Sequence, residues 1–200
     1  MARGKQDKKN WVDVLQTVWL TQSRAPLYRQ VTRLCQVRDA RYVERTYAKW
    51  LEYSAAIGRV PPSFDWRSVH AFHPEAQLLA FDAIPPSTAD ALIQFRFGHT
   101  VRCPSAPRSD LVYVSFLEVA PWNRVDANPR HTRGLGPALI RIACDASLQR
   151  GFGGRLGLHS TALAERFYEN LGLRRLDCPN EHHEIYLELD EAGAGDLLSD

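Results

Sequence analysis

Little in this chain of 200 residues points to metal, disulfide or membrane chemistry. Its four cysteines, Cys35, Cys103, Cys144 and Cys178, stand far apart and form no CxxC pair. That spacing argues against a zinc site and a disulfide framework, and it makes a reducing compartment the expectation. The "EHHE" at 181–184 lacks the i, i+4 spacing with which a helix offers two histidines to one metal ion. No window approaches the roughly 20 apolar residues of a membrane span. The start has basic residues ahead of an apolar stretch, but Asp13 and Gln16 interrupt that stretch and no small-residue cleavage site follows. The expectation is a soluble, cytoplasmic protein. A GK[ST] segment is also missing, which removes the Walker type of triphosphate loop. The net charge of +2 is too mild to argue for nucleic acid by itself.

What is present is an ordinary globular composition, 44% hydrophobic and 24% charged, enough for one packed domain with an extension. Trp11, Val14, Leu15, Val18 and Trp19 follow the i, i+3, i+4, i+7, i+8 pattern of an amphipathic helix. Its two tryptophans could cover either a core or a second copy of the chain in a homodimer. Residues 27–57 carry a second helical pattern without Gly, ended by Gly58 and the prolines at 61 and 62. Between Arg24 and Lys49 seven basic residues face two acidic ones, Asp39 and Glu44. This is either a solvated helix face or a surface for an acidic or nucleic-acid partner.

Beyond residue 65 the pattern changes to strands at 77–84, 91–101 and 111–120, separated by turn-rich connections. A loop and helix to about Arg150 follow, then a strand at 153–160, a helix at 161–173 and a strand at 183–190. The expected fold class is mixed α/β. The expected division is an N-terminal helical region over 1–65, a main domain over 66–190 and a frayed tail over 191–200.

The segment "NPRHTRGLGPALIRIA" (128–143) places glycines 134 and 136 at a strand–loop–helix junction. The first N–H groups of a helix lack intrahelical partners, and the helix dipole adds positive charge there. Glycine lets a pyrophosphate approach that backbone without a Cβ in the way. Pro137 suits the first helical position, and Arg130, Arg133 and His131 could add charge. GxGxxG is not completed, because Leu139 and Ile140 stand where the third glycine is required. A phosphate cradle and a plain turn both fit these residues.

A second motif separates them. "TALAERFYENLGLRR" (161–175) resembles the "N-x-x-A-x-x-l-Y-e-k-x-G-F" signature of the GNAT superfamily of acyl-CoA-dependent N-acyltransferases. Ala164, Phe167, Tyr168, Glu169 and Gly172 are in register with it. "HTRGLG" (131–136) occupies the place of that family's "Q/R-x-x-G-x-G/A" loop, and "LEVAPWNR" (117–124) is similar to the end of its central strand. The resemblance covers 111–175 well, 75–110 and 176–190 loosely, and the first 65 residues hardly at all. Three departures stand out: His131 at the Q/R slot, Thr161 at the Asn slot, and a longer connection over 120–133.

The resemblance implies a central mixed sheet splayed at an acyl-CoA site, with acetyl-CoA as acyl donor, no metal, and an unidentified amine as acceptor. It implies CoA contacts from Val119, Ala120, His131, Arg133, Gly134, Leu135, Gly136 and Thr161. The N–H of Val119 or Ala120 would stabilise the oxyanion, Glu118 would be the nearest base, and Tyr168 would protonate the leaving thiolate. His159 at a strand end reads as a capping residue or a base. The connection with Trp122, Asn123, Arg124 and Asp126 reads as a substrate-shaping loop or a surface loop. Two other functions remain open: an acyl-CoA-binding regulatory module with a degenerate site, and a nucleic-acid-binding protein using the Arg-rich stretch 24–49.

Overall fold

The computed structural model describes residues 32–72, 74–83, 88–102, 110–127, 132–176 and 184–199. The Trp11–Trp19 stripe, His131 and the "EHH" of 181–183 lie outside them. Seven strands build one sheet: β1 (Thr32–Gln36), β2 (Gln77–Ala83), β3 (Ala89–Thr100), β4 (Asp110–Val119), β5 (Leu156–Ser160), β6 (Arg174–Leu176) and β7 (Ile185–Leu189). Their order is β1-β2-β3-β4-β5-β7-β6. The first four form an antiparallel meander, β4 and β5 run parallel, and β7 is antiparallel to both its neighbours. A parallel pair needs a crossover, and helix α3 (Leu135–Gln149) supplies it. The other helices are α1 (Ala40–Ala56), α2 (Trp66–Phe72), α4 (Glu165–Glu169) and α5 (Glu191–Ser199). The mixed α/β expectation holds.

The continuous helix expected over 27–57 does not form in its described part. Residues 32–36 are strand β1, paired from Thr32–Ala83 to Gln36–Leu79, so chain before residue 65 belongs to the same sheet as chain after it. The break falls at Asp39, whose carboxylate accepts the Arg41 N–H at 2.9 Å and caps α1. At Leu34 and Cys35 five rungs of sheet pairing outweigh the helical periodicity. The helix expected over 161–173 shortens to α4, because Gly172 turns the chain at φ +89° into the short strand β6. The expected frayed tail is instead α5, with Ala194 and Leu197 buried against α3 and the Arg141 Nε donating to the Leu197 carbonyl at 2.9 Å.

Apolar side chains fill both faces of the sheet. One face carries α3, with Leu139, Ile140, Ile142 and Ala143 fully buried over Ile93, Phe95, Val112 and Leu158. The other is a tryptophan core beneath α1 and α2, where Trp50, Trp66 and Trp122 meet Leu78, Leu92 and Ala120. A buried indole needs an acceptor for its N–H. Here the acceptors are the Ala89 carbonyl for Trp50 (2.9 Å), Glu118 for Trp66 (2.9 Å) and Asp90 for Trp122 (2.8 Å). Among the described residues no helix is long and apolar enough to cross a membrane, and no group of His, Cys, Asp and Glu could hold a metal ion.

Candidate active site

Strands β4 and β5 part company partway along. They pair only from Val112–Leu156 to Val114–Leu158, while β4 runs on to Val119 and β5 to Ser160. A register shift against β3 between Gln94 and Phe95 leaves Ser115 as an extra residue at the vertex of this fork. Beyond the vertex, one edge of β4 faces no strand among the described residues. The Ala120 N–H donates to the Asp90 carbonyl at 2.9 Å. Antiparallel ladders alternate, so the N–H groups of Leu117 and Val119 turn to the opposite edge, into the fork. Of the two oxyanion donors expected, Ala120 is therefore taken and Val119 is available. Leu117, which the sequence reading did not single out, joins it.

The glycine loop sits at the same end of the sheet. Gly134 adopts φ +78°, a conformation that favours glycine, and α3 begins at Leu135. The first helical bond runs from the Ala138 N–H to the Gly134 carbonyl at 3.0 Å, so the N–H groups of Leu135 and Gly136 lie ahead of the ladder. Pro137 is the third helical residue rather than the first; it removes no ladder bond there. Arg133 is exposed beside the loop. The loop is tied down by Asn123, whose Oδ1 accepts the Thr132 N–H at 2.8 Å. Asn123 in turn donates to the Asp90 carbonyl and carboxylate, both at 3.2 Å. Asp90 also receives Trp122. The first half of the long connection is thus buried structure: Pro121, Trp122 and Asn123 form a 3-10 turn packed into the tryptophan core.

Tyr168 and the glycine loop meet through Phe167. A Cβ on Gly136 would lie 3.1 Å from the Phe167 ring, whose centroid is 4.9 Å from that of Tyr168. Tyr168 is buried on the α3 face, and burial pushes its hydroxyl up to about 12. It stays protonated throughout the neutral range. Thr161 is exposed where β5 hands over to α4, and its carbonyl accepts the Ala164 and Glu165 N–H groups.

Glu118 is placed differently from expectation. It lies on the tryptophan face, opposite Leu92, and not in the fork. Its Oε1 accepts the Ser63 N–H at 2.7 Å and Arg124 at 2.8 Å, and its Oε2 accepts Trp66 at 2.9 Å. Arg124 also donates to the Val60 and Pro61 carbonyls. The carboxylate thus ties α2, the 60–63 loop and the connection after β4 together. By sequence it is the nearest candidate base, directly or through water; here the carboxylate is buried and held by three donors.

At the vertex itself the structure brings together residues that spacing could not. The Tyr113 hydroxyl lies 2.6 Å from the Nδ1 of His159, across the last rungs that β4 and β5 share. His99 stacks on the Tyr113 ring at 4.8 Å, and the Tyr186 ring lies 4.9 Å from His159. Desolvation, then the positive charge of Arg102, hold His159 below the ordinary imidazole range against the pull of Glu184. Asp82, by contrast, is on β2 beside Tyr42, far across the sheet order from the fork. The only signal for Tyr113 was an alternating strand, which says nothing of what faces it.

No protein-family model matches the chain. No curated protein matches it either. Solved structures do. A bacterial toxin aligns with a TM-score of 0.57 at 12% identity, covering 85% of this chain and 96% of its own. A GNAT-family protein from Desulfovibrio desulfuricans gives 0.56 at 12% identity, with 80% and 99% covered. A tyrosine-to-phenylalanine mutant of the AtaT toxin, bound to acetyl-CoA and the C-terminus of the antitoxin AtaR, gives 0.53 at 13% identity, with 84% and 99% covered. The chain has the GNAT fold.

Proposed function

We propose that this protein is an N-acetyltransferase that moves an acetyl group from acetyl-CoA to an amine by direct attack. The observation that carries the reading is convergence at one end of the sheet: an open β4 edge, the uncapped start of α3 and a buried, protonated tyrosine. The AtaT structure, of the same fold, contains acetyl-CoA. In this reading the N–H groups of Leu135 and Gly136, with Arg133 and His131, hold the pyrophosphate. Thr161 lies along the pantetheine path. The Val119 or Leu117 N–H receives the thioester oxygen as it becomes an oxyanion. Tyr168 supplies a proton to the departing thiolate. Glu118 is not assigned the base role, because its lone pairs are already engaged by three donors.

The test is calorimetric titration with acetyl-CoA, followed by thiol release in the presence of a panel of primary amines. Binding with release supports the transferase. Binding without release by any amine favours the degenerate acyl-CoA-binding module instead. The nucleic-acid reading draws on the exposed Arg41, Arg45 and Lys49 on α1, and a KacTA–DNA complex is among the solved structures of this fold, at a TM-score of 0.54 and 13% identity; a low-salt gel shift that shows no complex removes it.

A further inference from the structure

We propose that Tyr113 and His159 form the relay that takes the proton from the acceptor amine. The Tyr113 hydroxyl meets the amine, and His159 positions that hydroxyl and stores the proton. The proposal rests on the transferase reading above and assigns the base that reading leaves vacant.

Place is the first argument. Val114 and Leu158 are the last paired residues of the fork, Tyr113 precedes one and His159 follows the other, and their side chains join at 2.6 Å. The pair therefore bridges the two strands where they separate, at the mouth of the gap into which the Leu117 and Val119 N–H groups turn. Face is the second. Leu158 packs toward α3, so by strand alternation His159 points to the opposite side of the sheet. An amine arriving there would approach the thioester from the side away from α3, leaving the sulfur free to depart toward Tyr168.

The third argument is chemical. An imidazole able to accept a proton must be neutral, and this one is kept so by burial and by Arg102. Its Nε2 is buried with no partner among the described residues, while its Nδ1 is engaged by Tyr113. The tautomer that fits has Nε2 protonated and Nδ1 accepting from the tyrosine. The groups around the imidazole are Tyr113 from β4, Tyr186 from β7, Arg102 and Glu184; behind Tyr113 stand His99 and Arg96 from β3.

The step balances as follows. The amine lone pair attacks the thioester carbonyl carbon, and the C–S bond breaks with its electrons on sulfur. The amine proton passes to the Tyr113 oxygen as the Tyr113 proton passes to His159 Nδ1. Tyr168 protonates the thiolate, and exchange with water returns imidazolium and phenolate to their starting forms.

The test uses the full chain, acetyl-CoA and the amine panel, with thiol release followed from about pH 5 to 9. The expected wild-type kcat/KM rises through a pKa below the ordinary 6.5 of histidine. In Tyr113→Phe and His159→Asn, which preserve much of the packing, kcat falls about 100-fold or more and the acidic limb disappears, while KM for acetyl-CoA holds. Imidazole in the buffer restores part of the rate to His159→Ala. Independently of turnover, the His159 ring signals in NMR titrate below 6.5 in wild type, and that titration moves in Tyr113→Phe. Folded variants that turn over like wild type with the limb intact overturn the relay and leave the transferase standing. A wild type that releases no thiol with any amine overturns both.

Discussion

The Trp66 indole and the Glu118 carboxylate meet at 2.9 Å beneath the sheet, where the acid sits 7% exposed with Arg124 at its other oxygen. A carboxylate so enclosed is a structural joint, and removing its charge strands a half-buried guanidinium. Glu118→Gln is expected to lower stability by about 2–3 kcal/mol, since breaking one side of a buried ion pair leaves the other uncompensated. Thermal unfolding measures it. The pH dependence of turnover should keep its wild-type shape; a base role for Glu118 would show instead as a lost acidic limb with little change in Tm.

Asp90 organises the connection that follows β4. It accepts Trp122 and Asn123, and Asn123 holds the Thr132 N–H at the edge of the glycine loop. Asp90→Ala removes the carboxylate acceptor of the buried Trp122 indole and leaves Asn123 with the residue-90 carbonyl alone, and it is expected to cost roughly 1–3 kcal/mol. Loosening the loop should also weaken acetyl-CoA binding. Urea unfolding and calorimetry give the two numbers; unchanged affinity in a destabilised variant would separate the network from the binding site.

Gly136 is short of space for a different reason. A methyl there presses on the Phe167 ring at 3.1 Å, so either the ring shifts or the start of α3 does. Gly136→Ala is expected to weaken acetyl-CoA binding about tenfold, roughly 1.4 kcal/mol, with modest loss of stability. Calorimetric titration at constant pH checks it. Full affinity in this variant would argue that the pyrophosphate sits elsewhere.

For Tyr168 the sign of the pH effect follows from burial. Burial raises its hydroxyl to about 12, so the proton is present throughout the neutral working range. Tyr168→Phe should reduce kcat by about 100- to 10,000-fold and leave the acetyl-CoA Kd within about twofold. Activity lost on the alkaline side close to neutral pH then comes from another group.

These predictions draw on features of unequal visibility in the sequence. The strands at 77–83 and 110–119, the α3 helix and the Tyr-bearing turn were legible, because each is written in local alternation, periodicity and glycine placement. Strand β1 was not: Leu34 and Cys35 fit a helix as well as a strand, and only pairing with β2 decides. An acidic, small-residue-rich tail with glycines at 193 and 195 points to fraying when taken alone. Ala194 and Leu197 are ordered by the α3 surface that they cover. Glu118 was correctly placed near the end of β4, but spacing cannot say which face of a bulged strand a side chain occupies.

The sequence by itself determined the mixed α/β class, the glycine loop ahead of a helix and a tyrosine one strand later, since those depend on contacts within a few residues. Only the tertiary structure decided which groups stand at the fork. Parting β4 from β5 after Val114 frees the backbone edge, turns Glu118 into the tryptophan core, and brings Tyr113 to His159 across 46 positions of chain. Such meetings are set by strand order and register, and no local pattern records them.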